Sequence, residues 1–215
     1  MSQSVRITEI FLSLQGEANT VGLPTVFVRL TGCPLRCQYC DSEYAFHGGQ
    51  KRTLEDVLDE VAGFDIKRVT VTGGEPLAQP AAWPLMQQLC DQGYQVSLET
   101  SGAIDVAEVD ARVVKVVDFK TPDSQEQQRN LWRNVEHLLP HDQVKFVICS
   151  RSDYEWAKFK CDELKLGERV SDILFSPSFT ELKPTELADW VVADRLNVRM
   201  QMQMHKLLWG DVPGK

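Results

Sequence analysis

The chain has 215 residues, of which 43% are hydrophobic and 25% charged, and its formal net charge is −8. These values are typical of one globular domain with a substantial core. The negative charge argues against a nucleic-acid partner, whose binding surface normally has a basic footprint. No apolar run approaches the ~20 residues that span a membrane, and the first 15 residues lack a secretory pattern. Six cysteines without a framework spacing indicate a reducing compartment, and we expect the cytoplasm.

The first quarter of the chain predicts two strands and a long loop. Residues 5–12 alternate in part and are rich in β-branched and aromatic side chains, which predicts a strand. Residues 26–30 predict a second strand, which ends directly before a group of cysteines. Residues 41–52, with two adjacent glycines, are predicted to form a loop.

From Thr53 onward, predicted helices and strands alternate. Thr53 is a predicted N-cap followed by an acidic first turn. Later strands are predicted over 68–71, 95–98, 113–117, 143–148, 172–175 and 198–202, and later helices over 83–92, 125–139, 153–164 and 185–197. This alternation indicates βαβ units around a parallel sheet. With about six parallel strands, short of the eight of a closed barrel, we expect an α/β fold: a partial (incomplete) (β/α) barrel, as a single domain over 1–215.

Polar turns directly follow several of the predicted strands. They lie at residues 73–75, 99–102, 118–120 and 176–177, and the cysteine loop follows another strand. Loops are commonly polar, but the carboxyl ends of parallel strands also face the ligand crevice of such folds. Five polar segments at the same end of the sheet therefore favour a single binding site.

Cys33, Cys37 and Cys40 are spaced at i, i+4 and i+7. Three thiolates can hold three irons of a cubane [4Fe–4S] cluster, which normally takes four cysteine ligands. A fourth iron would then remain open to another ligand. The alternative is a structural zinc site, but zinc wants four ligands, usually from two knuckles, and no second CxxC or CxxH follows. The spacing therefore favours an iron–sulfur cluster.

This CxxxCxxC spacing resembles the signature of radical S-adenosylmethionine (SAM) enzymes, and Gly-Gly-Glu at 73–75 is similar to the GGE motif of that superfamily. The resemblance implies that the open iron chelates the amino and carboxylate groups of SAM. It also implies that an electron from the cluster cleaves the sulfonium and releases a 5′-deoxyadenosyl radical.

Further motifs resemble one family, the 7-carboxy-7-deazaguanine synthases, over nearly the whole chain. They lie at residues 11–17, 24–33, 40–42, 72–76, 99–102 and 201–206. The resemblance implies a carbon–nitrogen lyase that contracts 6-carboxy-5,6,7,8-tetrahydropterin to 7-carboxy-7-deazaguanine with release of ammonia, on the route to 7-deazapurines such as queuosine. It also implies Mg²⁺ as a further cofactor, a homodimer, and a flavodoxin or ferredoxin as electron donor.

The same resemblance implies roles for individual residues. Cys33, Cys37 and Cys40 are the cluster ligands, and Ser42 is the Mg²⁺ position, where a hydroxyl oxygen suits the ion. Positions near SAM are Tyr39, Cys40, Asp41, Gly74, Glu75, Gly102, Asp118, Phe119, Lys120, Ser176, Pro177, Ser178 and Phe179. Positions near the pterin are Leu14, Gln15, Gly16, Glu17, Arg29, Thr100 and His205. Arg29 is the expected partner of the pterin carboxylate, which a planar guanidinium can bind bidentately.

Two segments depart from the family pattern, and two other functions remain as alternatives. Residues 118–120 stand where a Ser-Pro-Lys type of turn is expected, and the tail 208–215 has no assigned role. One alternative is a glycyl-radical-enzyme activase, which uses the same cysteine spacing to act on a protein. The other is a non-catalytic iron–sulfur or zinc module, which has no need of residues 73–75. The activase does not explain the motifs at residues 14–17 and at His205.

Overall fold

The computed structural model describes residues 3–210, 212 and 214, and one mixed sheet runs through them. Its strands are β1 (Ser4–Leu14), β2 (Pro24–Leu30), β3 (Gln50–Thr53), β4 (Arg68–Gly73), β5 (Gln95–Thr100), β6 (Val114–Asp118), β7 (Gln143–Ile148), β8 (Asp172–Pro177) and β9 (Arg199–Met200). Their order is β3-β1-β2-β4-β5-β6-β7-β8-β9. All neighbours from β2 to β9 are parallel, whereas β1 is antiparallel to β2 and β3. The order is linear, so the predicted partial barrel is confirmed.

The helices are α1 (Leu54–Ala62), α2 (Ala82–Asp91), α3 (Arg151–Glu163), α4 (Pro184–Asp194) and α5 (Met204–Trp209). The predicted N-cap of α1 is confirmed, because the Thr53 hydroxyl accepts from Asp56 N and the Asp56 carboxylate accepts from Thr53 N. No helix among the described residues is long and apolar enough to cross a lipid bilayer.

Two large apolar clusters form most of the core, and a third contains only Ala18, Val116 and Leu174. The first packs α1 and α2 against β1, β2, β4 and β5. The second packs α3 and α4 against β6, β7 and β8. Burial of these side chains away from water is the main favourable contribution to the fold. It leaves the loops at the carboxyl ends of the strands free to carry polar groups.

The predicted helix over residues 125–139 is wrong. The chain there forms short 3₁₀ segments at Gln127–Arg129 and Trp132–His137. Asn130 accepts from Lys120 N at 2.8 Å and donates to Lys120 O at 2.9 Å. Asn134 donates to the carbonyls of residues 102 and 104 and accepts from the amide of residue 106. These long-range bonds hold the segment against the loops after β5 and β6, and they override its helical pattern.

The predicted loop over residues 41–52 also contains regular structure. Glu43–Ala45 forms a 3₁₀ turn, and the polar strand β3 begins at Gln50. This strand lies at the edge of the sheet and pairs with the start of β1. Its charged and polar side chains are partly exposed, so it lacks the apolar alternation by which strands are recognised.

Candidate active site

A cavity of about 590 Å³ lies at the carboxyl ends of the parallel strands. The cysteine loop, the turn after β1 and the C-terminal segment complete its walls. The predicted site residues that line it are Leu14, Gln15, Gly16, Glu17, Arg29, Cys33, Cys37, Tyr39, Cys40, Asp41, Ser42, Gly74, Thr100, Asp118, Lys120, Ser176, Pro177, Ser178, Phe179 and His205. The structure therefore brings together residues from both ends of the chain.

The three motif cysteines line this cavity as partly exposed free thiols. Burial raises the pKa of each thiol, for Cys37 to about 11, and the Lys120 ammonium opposes this effect. Over residues 3–210, 212 and 214, no group of three or more His, Cys, Asp or Glu side chains is arranged to hold a single metal ion. Three thiols on one loop, all facing the cavity, are a donor set that fits a [4Fe–4S] cluster.

Glu75 lies behind the cavity wall instead of in it. Its side chain is fully buried, and Oε1 accepts from Leu77 N at 2.9 Å. Oε2 accepts from Ser101 N at 2.7 Å and from Ser101 Oγ at 2.5 Å, and the Thr100 hydroxyl also donates to the carboxylate. Glu75 thus ties the loop after β4 to the loop after β5. A buried carboxylate with this many donors is well satisfied.

Gly102 and Phe119, two further predicted SAM positions, also lie outside the cavity lining. Phe119 is fully buried and packs against Trp132 with ring centroids 4.8 Å apart. Gly102 has a φ of +72°, and a Cβ added there would lie 3.0 Å from the Phe119 ring. The two residues lie behind the cavity wall, and their neighbours, such as Lys120, line the cavity.

Glu17 and Lys145 form a buried ion pair in the cavity. Burial favours the neutral form of Glu17, but the Lys145 ammonium and a hydrogen bond from it hold the pKa of this carboxyl below its usual value. Gln203 Nε2 also donates to Glu17 at 2.9 Å. The Glu17 carboxylate in turn raises the pKa of Lys145 against the opposing effect of burial. Glu17 is therefore an ionised acceptor inside the cavity.

Glu99 enters the same cavity from β5, and sequence reasoning assigned it no role. Burial raises its pKa to about 8, although the Lys145 ammonium opposes this shift. Lys145, on β7, was also missed. The available signal was the same in both cases, because each is a charged residue within a parallel strand, and such strands are normally covered on both faces of the sheet.

The C-terminal segment joins the cysteine loop to the turn after β1. Gln203 Nε2 donates to Asp41 Oδ2 at 2.9 Å, and Lys206 Nζ lies 3.0 Å from the same oxygen. Burial favours neutral Asp41, but the Lys206 ammonium holds the pKa of this carboxyl well below its usual range. His205 lies against Gly16, where an added Cβ would be 2.0 Å from Nδ1. Burial lowers the pKa of His205.

Two more groups beside the cavity lie close to the cysteine loop. Asp118 Oδ2 pairs with Lys120 Nζ at 3.0 Å, and this carboxylate raises the pKa of Lys120 although burial opposes it. Ser42 Oγ donates to Asp41 Oδ1 at 3.0 Å, which leaves the lone pairs of the hydroxyl available. The arrangement offers three kinds of contact in one space: thiols, paired charges and a hydroxyl oxygen.

Comparison with known proteins shows the family to which the chain belongs. The model of the radical SAM superfamily matches residues 27–117. A 7-carboxy-7-deazaguanine synthase of Koribacter versatilis is 43% identical, with 95% of this chain and 97% of that protein covered. The synthase of Chlorobaculum tepidum is 42% identical, with 95% and 94% covered. The crystal structure of QueE from Escherichia coli has the same fold, with a TM-score of 0.78 and 24% identity over 94% of this chain and 95% of that chain. The chain belongs to the 7-carboxy-7-deazaguanine synthase family of the radical SAM superfamily.

Proposed function

We propose that this chain is a radical SAM carbon–nitrogen lyase. It converts 6-carboxy-5,6,7,8-tetrahydropterin into 7-carboxy-7-deazaguanine with release of ammonia, in the biosynthesis of 7-deazapurines such as queuosine. One observation carries the proposal: the cysteine loop, the loop after β4 and the turn at Gln15–Glu17 all meet in one cavity. The 43% identity to a synthase over 95% of the chain supports the same reaction.

In this proposal Cys33, Cys37 and Cys40, which line the cavity, would hold a [4Fe–4S] cluster. When bound, the cluster and SAM supply the one-electron cleavage that creates a radical able to abstract hydrogen. The chain contributes the walls around SAM, which are residues 39–41, Gly74, 118–120 and 176–179. Glu75, Gly102 and Phe119 act from behind these walls by fixing the backbone of the loops.

The pterin is placed opposite the cysteine loop. Arg29 binds the carboxylate of the substrate, and the ionised Glu17 accepts hydrogen bonds from its ring amines. The side-chain Nε2 of Gln15 donates to Thr70 Oγ1 at 3.1 Å, so the backbone of residues 14–16 is the part of this turn that contacts the ring. Thr100 lies beside the ring, and His205 closes the pocket against water. Glu99, with its raised pKa, offers a carboxyl group that can give up or take a proton near pH 8.

Further parts of the proposal concern the metal, the partners and the location. The Ser42 hydroxyl is a ligand of Mg²⁺, which accepts one protein oxygen together with substrate oxygens and waters. The whole chain, 1–215, works as one radical SAM domain. It acts as a homodimer in the cytoplasm, reduced by a flavodoxin or ferredoxin.

The test is an anaerobic assay with protein reconstituted with iron and sulfide. The pterin, SAM, Mg²⁺ and dithionite are added, and products are identified by mass spectrometry. Deazaguanine product without net consumption of SAM is expected. Cys37→Ala should abolish it, whereas Cys90→Ala, outside the motif, should retain it. Cleavage of SAM with an untouched pterin would point to another radical substrate, such as the protein substrate of an activase.

A further inference from the structure

Arg29 faces a specific acidic partner across the antiparallel pair β1–β2. Glu9 is directly opposite Arg29 in the register of the two strands. The register shifts between Ile7 and Glu9, so a bulge at Thr8 lies directly before this pair. A bulge changes the face of the sheet to which the following side chains point. The local backbone therefore sets Glu9 opposite the arginine that faces the cavity.

The contact between the two side chains uses one edge of the guanidinium. Arg29 Nε donates to Glu9 Oε1 at 2.7 Å, and the two side chains are 15% and 22% exposed. In residues 3–210, 212 and 214, the terminal nitrogens of Arg29 make no hydrogen bond. With Nε occupied, the edge that remains is the one formed by Nη1 and Nη2, which matches the two oxygens of a carboxylate.

Tyr44 contacts the same carboxylate oxygen. Its hydroxyl donates to Glu9 Oε1 at 2.8 Å, and its ring centroid lies 5.7 Å from the Arg29 Cζ. The Phe11 ring centroid lies 6.0 Å from that Cζ, so the guanidinium has two aromatic rings near it. Tyr44 comes from the 3₁₀ turn that directly follows Ser42. It therefore connects the end of the cysteine loop to the arginine.

We propose that Glu9 and Tyr44 are positioning residues, which hold the Arg29 guanidinium with its Nη edge toward the cavity to receive the substrate carboxylate. The inference rests on the proposed function, because it takes the pterin carboxylate as the ligand. A free arginine loses rotamer freedom when it binds, whereas one fixed in advance does not. Glu9 itself repels the substrate carboxylate, so its benefit comes from its hydrogen-bond acceptor and not from its charge.

Two substitutions at Glu9 separate these effects. Glu9→Ala removes the acceptor, and Glu9→Gln keeps an acceptor without the charge. The dissociation constants of 6-carboxy-tetrahydropterin and of tetrahydropterin without the carboxylate are measured anaerobically by calorimetry. Glu9→Ala should weaken binding of the carboxylated pterin about tenfold, the effect expected for one charged hydrogen bond. It should leave the other pterin unchanged, and Glu9→Gln should bind both within about threefold of the unmodified protein.

Controls distinguish positioning from general damage. Tyr44→Phe should weaken binding of the carboxylated pterin by about threefold and leave binding of the other pterin unchanged. The reason is that it removes a single neutral donor from Glu9. Asp172→Asn, which removes the partner of Arg199 elsewhere on the surface, should change neither affinity. Circular dichroism spectra of all variants check that they are folded. If Glu9→Ala weakens binding of both pterins equally, or weakens binding of neither, the inference is overturned.

A double variant separates this inference from the proposed function. Arg29→Ala alone should weaken binding of the carboxylated pterin more than Glu9→Ala does. Adding Glu9→Ala to Arg29→Ala should cause no further loss of affinity, because Glu9 aids binding only through its contact with Arg29. Arg29→Ala without any effect would overturn both the carboxylate assignment and the inference. Additive effects of the two substitutions would overturn only the inference.

Discussion

Glu99 is a carboxyl group whose position in the cavity makes the folded state sensitive to pH. Burial raises its pKa from 4.5 to about 8. Between these values the folded protein keeps a proton that the unfolded chain has released, so the folded state loses stability as pH rises. Glu99→Gln removes this dependence. The variant should therefore gain stability relative to the unmodified protein between pH 5 and pH 8, by on the order of 3 kcal/mol in total.

Thermal unfolding of the apo protein across this pH range measures the effect. The difference in Tm between Glu99→Gln and the unmodified protein should grow up to about pH 8 and then stay constant. Glu108→Gln removes a charge from an exposed residue and serves as the matched control. A constant Tm difference from pH 5 to pH 8 would contradict the raised pKa.

Residues of the site could be predicted where they belong to a local sequence motif. Residues that reach the site only through strand pairing could not. The cysteines, Arg29 and Glu17 stand in recognisable sequence patterns, and all of them line the cavity. Glu9 was missed because its role depends on the register of β1 against β2 and on a bulge. Neither feature can be read from one strand alone, since a shift of one residue turns every side chain to the other face.

At the scale of elements, the loop after β4 packs directly against the start of the cysteine loop. A Cβ added to Gly74 would lie 2.4 Å from Gly32 O and 2.7 Å from Cys33 Cβ. Glu75 N also donates to Gly32 O at 2.8 Å. Because the obstructing atoms are backbone and a Cβ, they cannot move aside without moving the loop. We expect Gly74→Ala to shift the cysteine loop and to lower the iron and sulfide bound after reconstitution by at least about half.

The matched control is Gly167→Ala, because a Cβ added there meets nothing within 4 Å. It should bind iron and sulfide like the unmodified protein. Far-UV circular dichroism of both variants tests whether the fold is kept. Full iron content in Gly74→Ala would show that the two loops are not coupled through this contact.

Elements with a strong local pattern were predicted, and those held by long-range bonds were not. The start of α1 was predicted because its N-cap, Thr53, belongs to a local capping box with Asp56. The segment 125–139 has a helical composition, yet Asn130 and Asn134 bond to backbone groups of loops that are distant in sequence. Such partners become available only once the sheet has formed, so the local pattern gives the wrong structure.

For the whole molecule, β6 is the strand at which the two apolar clusters meet. Val113, directly before β6, belongs to the first cluster, and Val117 belongs to the second. Between them Lys115 is 2% exposed and forms an ion pair at 2.8 Å with Asp142, which is fully buried. Asp142 also accepts from Lys115 N at 2.8 Å and from Leu139 N at 2.7 Å. This carboxylate therefore fixes β6 to the turn before β7.

Asp142→Ala should destabilise the whole domain, because it leaves a buried ammonium and two backbone donors without an acceptor. Loss of one partner of a buried ion pair costs about 3 to 5 kcal/mol. Urea unfolding of the apo protein should therefore show a lower midpoint with an unchanged slope. Asp91→Ala removes a partner of Arg112 in an exposed pair and should cost less than about 1 kcal/mol. Because one continuous sheet joins both clusters, a single transition is expected, and two separate transitions would show that each cluster unfolds on its own.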